Sequence, residues 1–357
     1  MKLFTDEEKA QISDYGKQVI DYRRTGISLN HIIGCPLDCG YCVRHFWGNF
    51  EMKVPQLLCT DDEAVKLLLN HKYFVPNDTT VQFLHKATDP FLPAVKPHTF
   101  NVLKKLDDLG LENIVTFITR FIVTEEDMNF LESLRNIRVA LFFTYSGIKD
   151  QKIEPIANSG ITLNSIRTAS KYKNKVKIIQ YWRPIVAGWN DDDETIEHVL
   201  SISSLFDAIV YKGYRQREEN KSYLKSKGVE IYDQMQYSKI VIEGIEERIM
   251  SKYKKLDIHT PIFKKTSCAI SYVHSIADYN GNYGTKDLCH FCPDEQKRRC
   301  ASSKKLPSLD SIKYSLKQHG YDANYKIEED NIYISGLSKE DRYFMQHVLK
   351  YPLLEIN

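Results

Sequence analysis

Seven of the eight cysteines fall into two groups, Cys35/Cys39/Cys42 and Cys268/Cys289/Cys292/Cys300. Thiolates are soft ligands for zinc and iron–sulfur clusters. In a chain too sparse in cysteine for a disulfide scaffold, grouped cysteines point to metal. The first group lies in Gly34-Cys35-Pro36-Leu37-Asp38-Cys39-Gly40-Tyr41-Cys42, spaced Cys-x3-Cys-x2-Cys. Three thiolates this close can hold three corners of a cubane cluster and leave the fourth iron without a protein ligand. An open metal position marks chemistry rather than structure, as in zinc enzymes. The rival reading is a structural zinc, for which His31 or His45 could supply a fourth ligand. In the second group only Cys289 and Cys292 form the close pair usual in zinc folds, and an iron–sulfur cluster and zinc both remain open there. Cys59 stands alone ahead of a helix and reads as a small core side chain.

The elements that must position these groups alternate. Ile27 to Ile33 leads into the first cysteine loop, and short apolar strands follow at Val81 to Leu84, Ile114 to Ile118, Val139 to Phe143, Val176 to Tyr181 and Ala208 to Tyr211. Helical patterns separate them: Ala64 to His71, His98 to Leu109, Thr124 to Leu134, Thr162 to Ser170, and Asp193 to Ile202. A longer helix is expected over Met235 to Tyr253. Thr5/Glu8 and Thr60/Glu63 are capping-box pairs, the first opening an expected helix over about 6–22. Six β–α repeats of this kind give a parallel sheet with right-handed crossovers, either doubly wound or curled into a barrel. Residues 255–305 break the alternation and carry the second cysteine group. Residues 306–357 read as a helix, a hairpin around Tyr325 to Ile327 and Asn331 to Ser335, and a last helix from Ser338 to Leu349.

Composition sets the class. The 357 residues are 42% hydrophobic and 27% charged, with a net charge of +2, which suits a globular chain with a sizeable core. No apolar run approaches the roughly 20 residues of a membrane helix, and the N-terminus lacks a signal-peptide core, so a cytoplasmic protein is expected. A charge balance so near neutral neither demands nor excludes a polyanionic partner.

The Cys-x3-Cys-x2-Cys loop, with aromatic Tyr41 before its third cysteine, resembles that of the radical S-adenosylmethionine (SAM) superfamily. The resemblance implies a partial, six-unit (β/α) barrel of the TIM type over 1–254, with the loop after the first strand. It implies a [4Fe–4S] cluster whose free iron chelates SAM, and an electron donor of the flavodoxin or ferredoxin type. Lys86-Ala87-Thr88-Asp89-Pro90 follows the second strand, where many members carry a Gly-Gly-Glu-like stretch. The Thr-Asp-Pro resembles the spore photoproduct lyase-like branch. On that basis Thr88 and Asp89 are candidates for SAM's ammonium, Arg120 and Arg167 for its carboxylate, and Thr119 and Ser146 for its ribose. Pro184-Ile185-Val186-Ala187-Gly188 resembles the family's loop beside adenine. Cys268, Gly284, Cys289 and Cys292 resemble the half-motif of the SPASM/twitch extension, which holds an auxiliary [4Fe–4S] cluster on a hairpin. Asn280-Gly281 is a suitable hairpin turn.

The expected function is hydrogen abstraction from a peptide or small molecule by a SAM-derived radical. Nucleic-acid repair or modification by the same chemistry is the alternative, with Lys252-Tyr253-Lys254-Lys255 and Lys264-Lys265 as short basic stretches. A non-catalytic metal-binding scaffold is the rival of a different class.

Overall fold

The computed structural model describes every residue except 158, 173, 232–234, 237–238, 241 and 357. At its centre is an eight-stranded sheet whose spatial order is the chain order. The strands are β1 (Ile20–Arg23), β2 (Gly26–Leu29), β3 (Val81–Phe83), β4 (Ile114–Thr119), β5 (Arg138–Thr144), β6 (Lys177–Ile185), β7 (Ala208–Gly213) and β8 (Ile262–Phe263). β1 pairs antiparallel with β2, and β2 to β8 pair in parallel. A doubly wound sheet reverses direction partway along. Here every crossover advances the same way, and right-handed crossovers of that kind put their helices on one face. The topology is therefore that of a barrel-type fold left open: among the described residues no pairing closes β8 onto β1.

The two faces separate by the strand period of two. Val115, Phe117, Val139, Leu141 and Phe143 pack outward against Val102, Leu106, Met128, Leu131 and Ile166 of the crossover helices. Ala140, Phe142, Tyr181 and Val210 point the other way and meet Ala269 and Ile270. Gly26 turns the chain into β2 at φ +117°, and a Cβ there would lie 2.2 Å from the Thr80 carbonyl oxygen. Only glycine fits so close an approach.

Three expectations need correction. The first helix does form its Thr5/Glu8 capping box but covers only Asp6–Ala10. The Ser13 hydroxyl then accepts the Gly16 N–H at 3.1 Å, a turn that competes with helix, and Ile20 to Arg23 become an edge strand. The helix expected from Met235 begins only at Ile245–Lys255, after Gly244 in the left-handed region. Met235–Gln236 instead pairs with Lys239–Ile240, and the rest of that expected stretch includes residues outside those described. Among the described residues no hairpin flanks Asn280-Gly281. The region is built from the helices Thr266–Val273, Lys286–Cys289 and Asp294–Ser303. Gly281 turns the chain against the Lys350 backbone, where a Cβ would lie 2.4 Å from the carbonyl oxygen. β8, only two residues long, is too short to show a strand's periodicity in the sequence. Among the described residues no helix is long and apolar enough to cross a membrane.

The C-terminal segment has the expected helix, hairpin and helix, at Leu309–Gln318, Asn324–Glu328 with Asn331–Ser335, and Lys339–Leu349. A parallel strand at Leu353–Glu355 completes it. Its Ile332, Phe344, Met345 and Leu353 join the same apolar cluster as the outer face of the sheet. His347 fixes the contact: Nδ1 lies 2.5 Å from the Tyr22 hydroxyl and Nε2 2.9 Å from Asn280 Oδ1. Burial pushes its pKa down to about 4. The unfolded chain therefore takes up this proton first as pH falls, so stability present above about pH 6.5 is lost towards pH 4, by roughly 3 kcal/mol. Urea unfolding at pH 7 and pH 4 is expected to show a stability difference between wild type and His347→Gln that shrinks by about that amount. An equal loss in both proteins would contradict this role for His347.

Candidate functional site

A cavity opens at the C-terminal ends of β3 to β6, where barrel-type enzymes place their active sites. The cysteine loop forms one wall and the segment after β3, Leu84 to Asp89, another. Ile118 to Arg120, Thr144, Tyr181 and Arg183 complete it. All three cysteines of the first group line this cavity; Cys35 and Cys39 are buried and Cys42 is half-buried.

The loop is held by its own backbone and by Arg44. The Arg44 guanidinium is buried and donates to the carbonyls of Cys35 (3.0 Å), Asn49 (2.7 Å), Phe50 (2.9 Å) and Met52 (2.6 Å). Gly40 sits where a Cβ would lie 2.3 Å from the Leu224 side chain. Burial raises the Cys35 and Cys39 thiols above their usual range, with Arg44 opposing it at the first and Arg120 at the second. Among the described residues no three His, Cys, Asp or Glu side chains converge closely enough to hold a metal ion. The three thiols share a wall, so a metal would have to draw them together as it displaced their protons.

Behind the loop lies a buried polar network that includes one residue with no sequence signal. Tyr41 donates its hydroxyl to Glu154 Oε2, and Arg120 donates to the Tyr41 hydroxyl. Arg120 Nη1 is also 3.2 Å from Glu154 Oε2, and Ser146 donates to the same oxygen at 2.9 Å. Glu154 stands in an irregular stretch, Lys152-Ile153-Glu154-Pro155, where neither spacing nor periodicity marks it. Of the residues considered for SAM, Arg120 lines the cavity with its charge already met by Glu154. Ser146 backs the network outside the lining, and Arg167 is exposed on the helix Ile161–Ala169. Its neighbours Ser165 and Ile166 take the inward face, which turns Arg167 to solvent.

Asp89 is buried and fully engaged. Its Oδ1 accepts from the Thr119 hydroxyl (2.8 Å) and the Phe91 N–H (3.0 Å), and its Oδ2 from the Arg120 N–H (3.0 Å). Burial nonetheless raises its pKa. Asp89 and Thr119 thus tie the ends of β3 and β4 together. Thr88 differs: its hydroxyl is buried in the cavity wall with no hydrogen-bond partner among the described residues. An orphaned polar atom of this kind marks a place for a ligand or water. His85 and Lys86 share the wall; burial lowers the first to about 3 and the second to about 8. Val186 of the Pro184–Gly188 loop packs with Cys39 and Tyr41.

The second cysteine group gathers on helices. Cys268 lies on Thr266–Val273, Cys289 ends Lys286–Cys289, Cys292 follows it, and Cys300 lies on Asp294–Ser303. The thiol of Cys268 is raised first by burial, then by buried Asp278 and by its three cysteine neighbours. Cys292 is pushed up to about 12, also chiefly by burial. Cys59 is a buried member of the outer core.

No protein-family model and no curated protein matches the chain. Among solved structures it is similar to spore photoproduct lyase complexed with dinucleoside spore photoproduct, at 12% identity and a TM-score of 0.49, over 67% of this chain and 77% of that one. It is also similar to Streptococcus suis SuiB bound to S-adenosylmethionine, at 11% identity and a TM-score of 0.45, over 72% of this chain and 54% of that one. SuiB bound to its precursor peptide SuiA gives 12% identity and the same TM-score, 0.45. At these identities and TM-scores the likeness is one of fold alone.

Glu154→Gln would leave the Arg120 charge buried without its partner and is expected to lower unfolding stability by about 3 kcal/mol. Thr88→Val removes a hydroxyl that bonds nothing and is expected to leave stability within about 0.5 kcal/mol or raise it. Chemical denaturation of both variants checks the pair. A marked loss in Thr88→Val would show that its hydroxyl already serves the fold.

Proposed function

We propose that the chain is a radical SAM enzyme in which Cys35, Cys39 and Cys42 hold a [4Fe–4S] cluster with one iron left for SAM. When bound, that group supplies one-electron cleavage of SAM to a 5′-deoxyadenosyl radical, which takes a hydrogen atom from an unreactive carbon. The observation that carries this reading is the shared cavity. Three cysteines at the Cys-x3-Cys-x2-Cys spacing line the same space as an unpartnered Thr88 hydroxyl, at the C-terminal ends of a singly wound parallel sheet.

The chain's own residues divide the remaining work. Thr88 offers the free hydroxyl, an acceptor suited to the SAM ammonium. Asp89 and Thr119 hold the strand ends, and Glu154 with Arg120 holds Tyr41 and so the loop. The apolar walls, buried Phe83 and Leu84 with half-buried Ile118, exclude water from a reactive intermediate. Residues 255–305 form an auxiliary metal region in this reading, in which a second [4Fe–4S] cluster or zinc would have to draw Cys268, Cys289, Cys292 and Cys300 together. An external one-electron donor of the flavodoxin or ferredoxin type supplies the reductant. The substrate is a small molecule or peptide that reaches the cavity from the interior of the sheet.

Anaerobic reconstitution of the full chain is expected to give about four irons and four sulfides at the first group. Those should be lost from Cys35→Ala/Cys39→Ala/Cys42→Ala, while metal at the second group persists. Zinc without labile sulfide at the first group would favour a structural metal scaffold and contradict the proposal.

A further inference from the structure

Beside the cysteine cavity, a second and larger cavity runs along the inner face of the sheet. Val43, His85, Ile118, Tyr181 and Arg183 line both, so the two spaces adjoin. The larger one is cationic. Arg23, Arg24, Arg183, Lys212, Arg215 and Lys265 stand on its walls, and among the described residues neither an aspartate nor a glutamate does. The whole chain is nearly balanced, with 49 Lys and Arg against 47 Asp and Glu. The excess is therefore local to this chamber rather than a property of the surface.

Ordinary ion pairing accounts for only part of it. Arg23 is met by Asp21, 2.9 Å away, and Lys212 donates to the Lys264 carbonyl. Arg24, Arg183 and Arg215 have no carboxylate within ion-pair distance among the described residues. Their guanidinium groups lie over aromatic rings instead: Arg24 over Tyr343 at 5.2 Å, Arg183 over Tyr181 at 5.7 Å and Arg215 over Phe46 at 5.6 Å. Arg183 also donates to the Tyr181 hydroxyl at 3.3 Å. Arg215 is pushed below its usual range first by burial and then by the like charges of Arg217, Arg183 and Arg23. Gln82 adds a buried Oε1 with no partner on the same wall.

We propose that this chamber binds the phosphate or diphosphate group of an organic phosphoester, placing its organic part towards the cysteine cavity. Guanidinium forks match phosphate oxygens in pairs, and one phosphate or diphosphate brings two or more negative charges in a compact group. A single carboxylate, with one charge, would leave two of Arg24, Arg183 and Arg215 unmatched. Phe142, Tyr181 and Tyr343 give the organic part flat apolar faces, and Gln82 Oε1 an acceptor for a donor on it. Small phosphoesters and the phosphodiesters of nucleic acid share this chemistry. The assignment deepens the SAM reading and rests on it for the direction in which the substrate points.

Binding to the reconstituted full chain, measured by calorimetry, tests it independently of SAM cleavage. Inorganic pyrophosphate, a mixed-sequence single-stranded DNA oligonucleotide and an oligoglutamate peptide are the probes. Pyrophosphate is expected to bind, to weaken at least tenfold in Arg183→Gln and in Arg215→Gln, and to weaken again as salt is raised. The salt dependence of the wild type serves if either variant fails to fold. Oligonucleotide binding tighter than pyrophosphate would name nucleic acid as the phosphate source, and weaker binding a small phosphoester. Absence of pyrophosphate binding, binding unchanged in both folded variants, or tighter binding of oligoglutamate would overturn the proposal. A protein that binds pyrophosphate but never cleaves SAM would instead overturn the reading of the cysteine cavity.

Discussion

The ion pair between Arg120 and Glu154 is the contact on which the cysteine cavity depends. At 3.2 Å and an effective dielectric of about 20, two unit charges attract by roughly 5 kcal/mol, and the desolvation of both groups offsets most of it. The pair therefore contributes little net stability, yet removal of either partner strands the other. Its value is positional. Tyr41 of the cysteine loop is hydrogen-bonded to both members, Ser146 beyond β5 bonds the same carboxylate, and Asp89 beyond β3 takes the Arg120 backbone N–H. One buried cluster thus fixes three strand ends and the loop that carries the thiols.

Around that point the sheet sets the division of labour. Because the strands add in one direction, the crossover helices cover one face and the other face is left to line an interior. The cysteine cavity occupies the C-terminal end of that interior, and the cationic chamber extends from it along the strands. The helix Thr266–Val273 covers part of the same face through Ala269 and Ile270. The C-terminal segment packs on the opposite side, through Phe344 and Met345, while Tyr343 reaches the chamber. It is part of the core rather than an appendage.

Legibility in the sequence followed the range of the interactions. Short apolar strands between amphipathic helices announce themselves locally, and all six expected strands are present within a few residues. The capping boxes at Thr5 and Thr60 formed because they need only three residues of chain. The cysteine loop was legible for the same reason. Glu154 was not, since what buries it is Arg120 and Tyr41 from distant segments. β8 is two residues long, too short for any periodicity. The turn at Asn280-Gly281 has hairpin composition but serves contact with Lys350 and His347, a tertiary demand that overrides the local signal. The cationic chamber was invisible because its residues come from separate segments and the net charge averages them away.

The release of 5′-deoxyadenosine tests the central claim most directly. Reconstituted protein, reduced with dithionite and given SAM under anaerobic conditions, is expected to form 5′-deoxyadenosine, and the Cys35→Ala/Cys39→Ala/Cys42→Ala variant to form none. A wild-type protein that carries iron and sulfide at the first group, yet yields no 5′-deoxyadenosine with any strong reductant, would contradict the account.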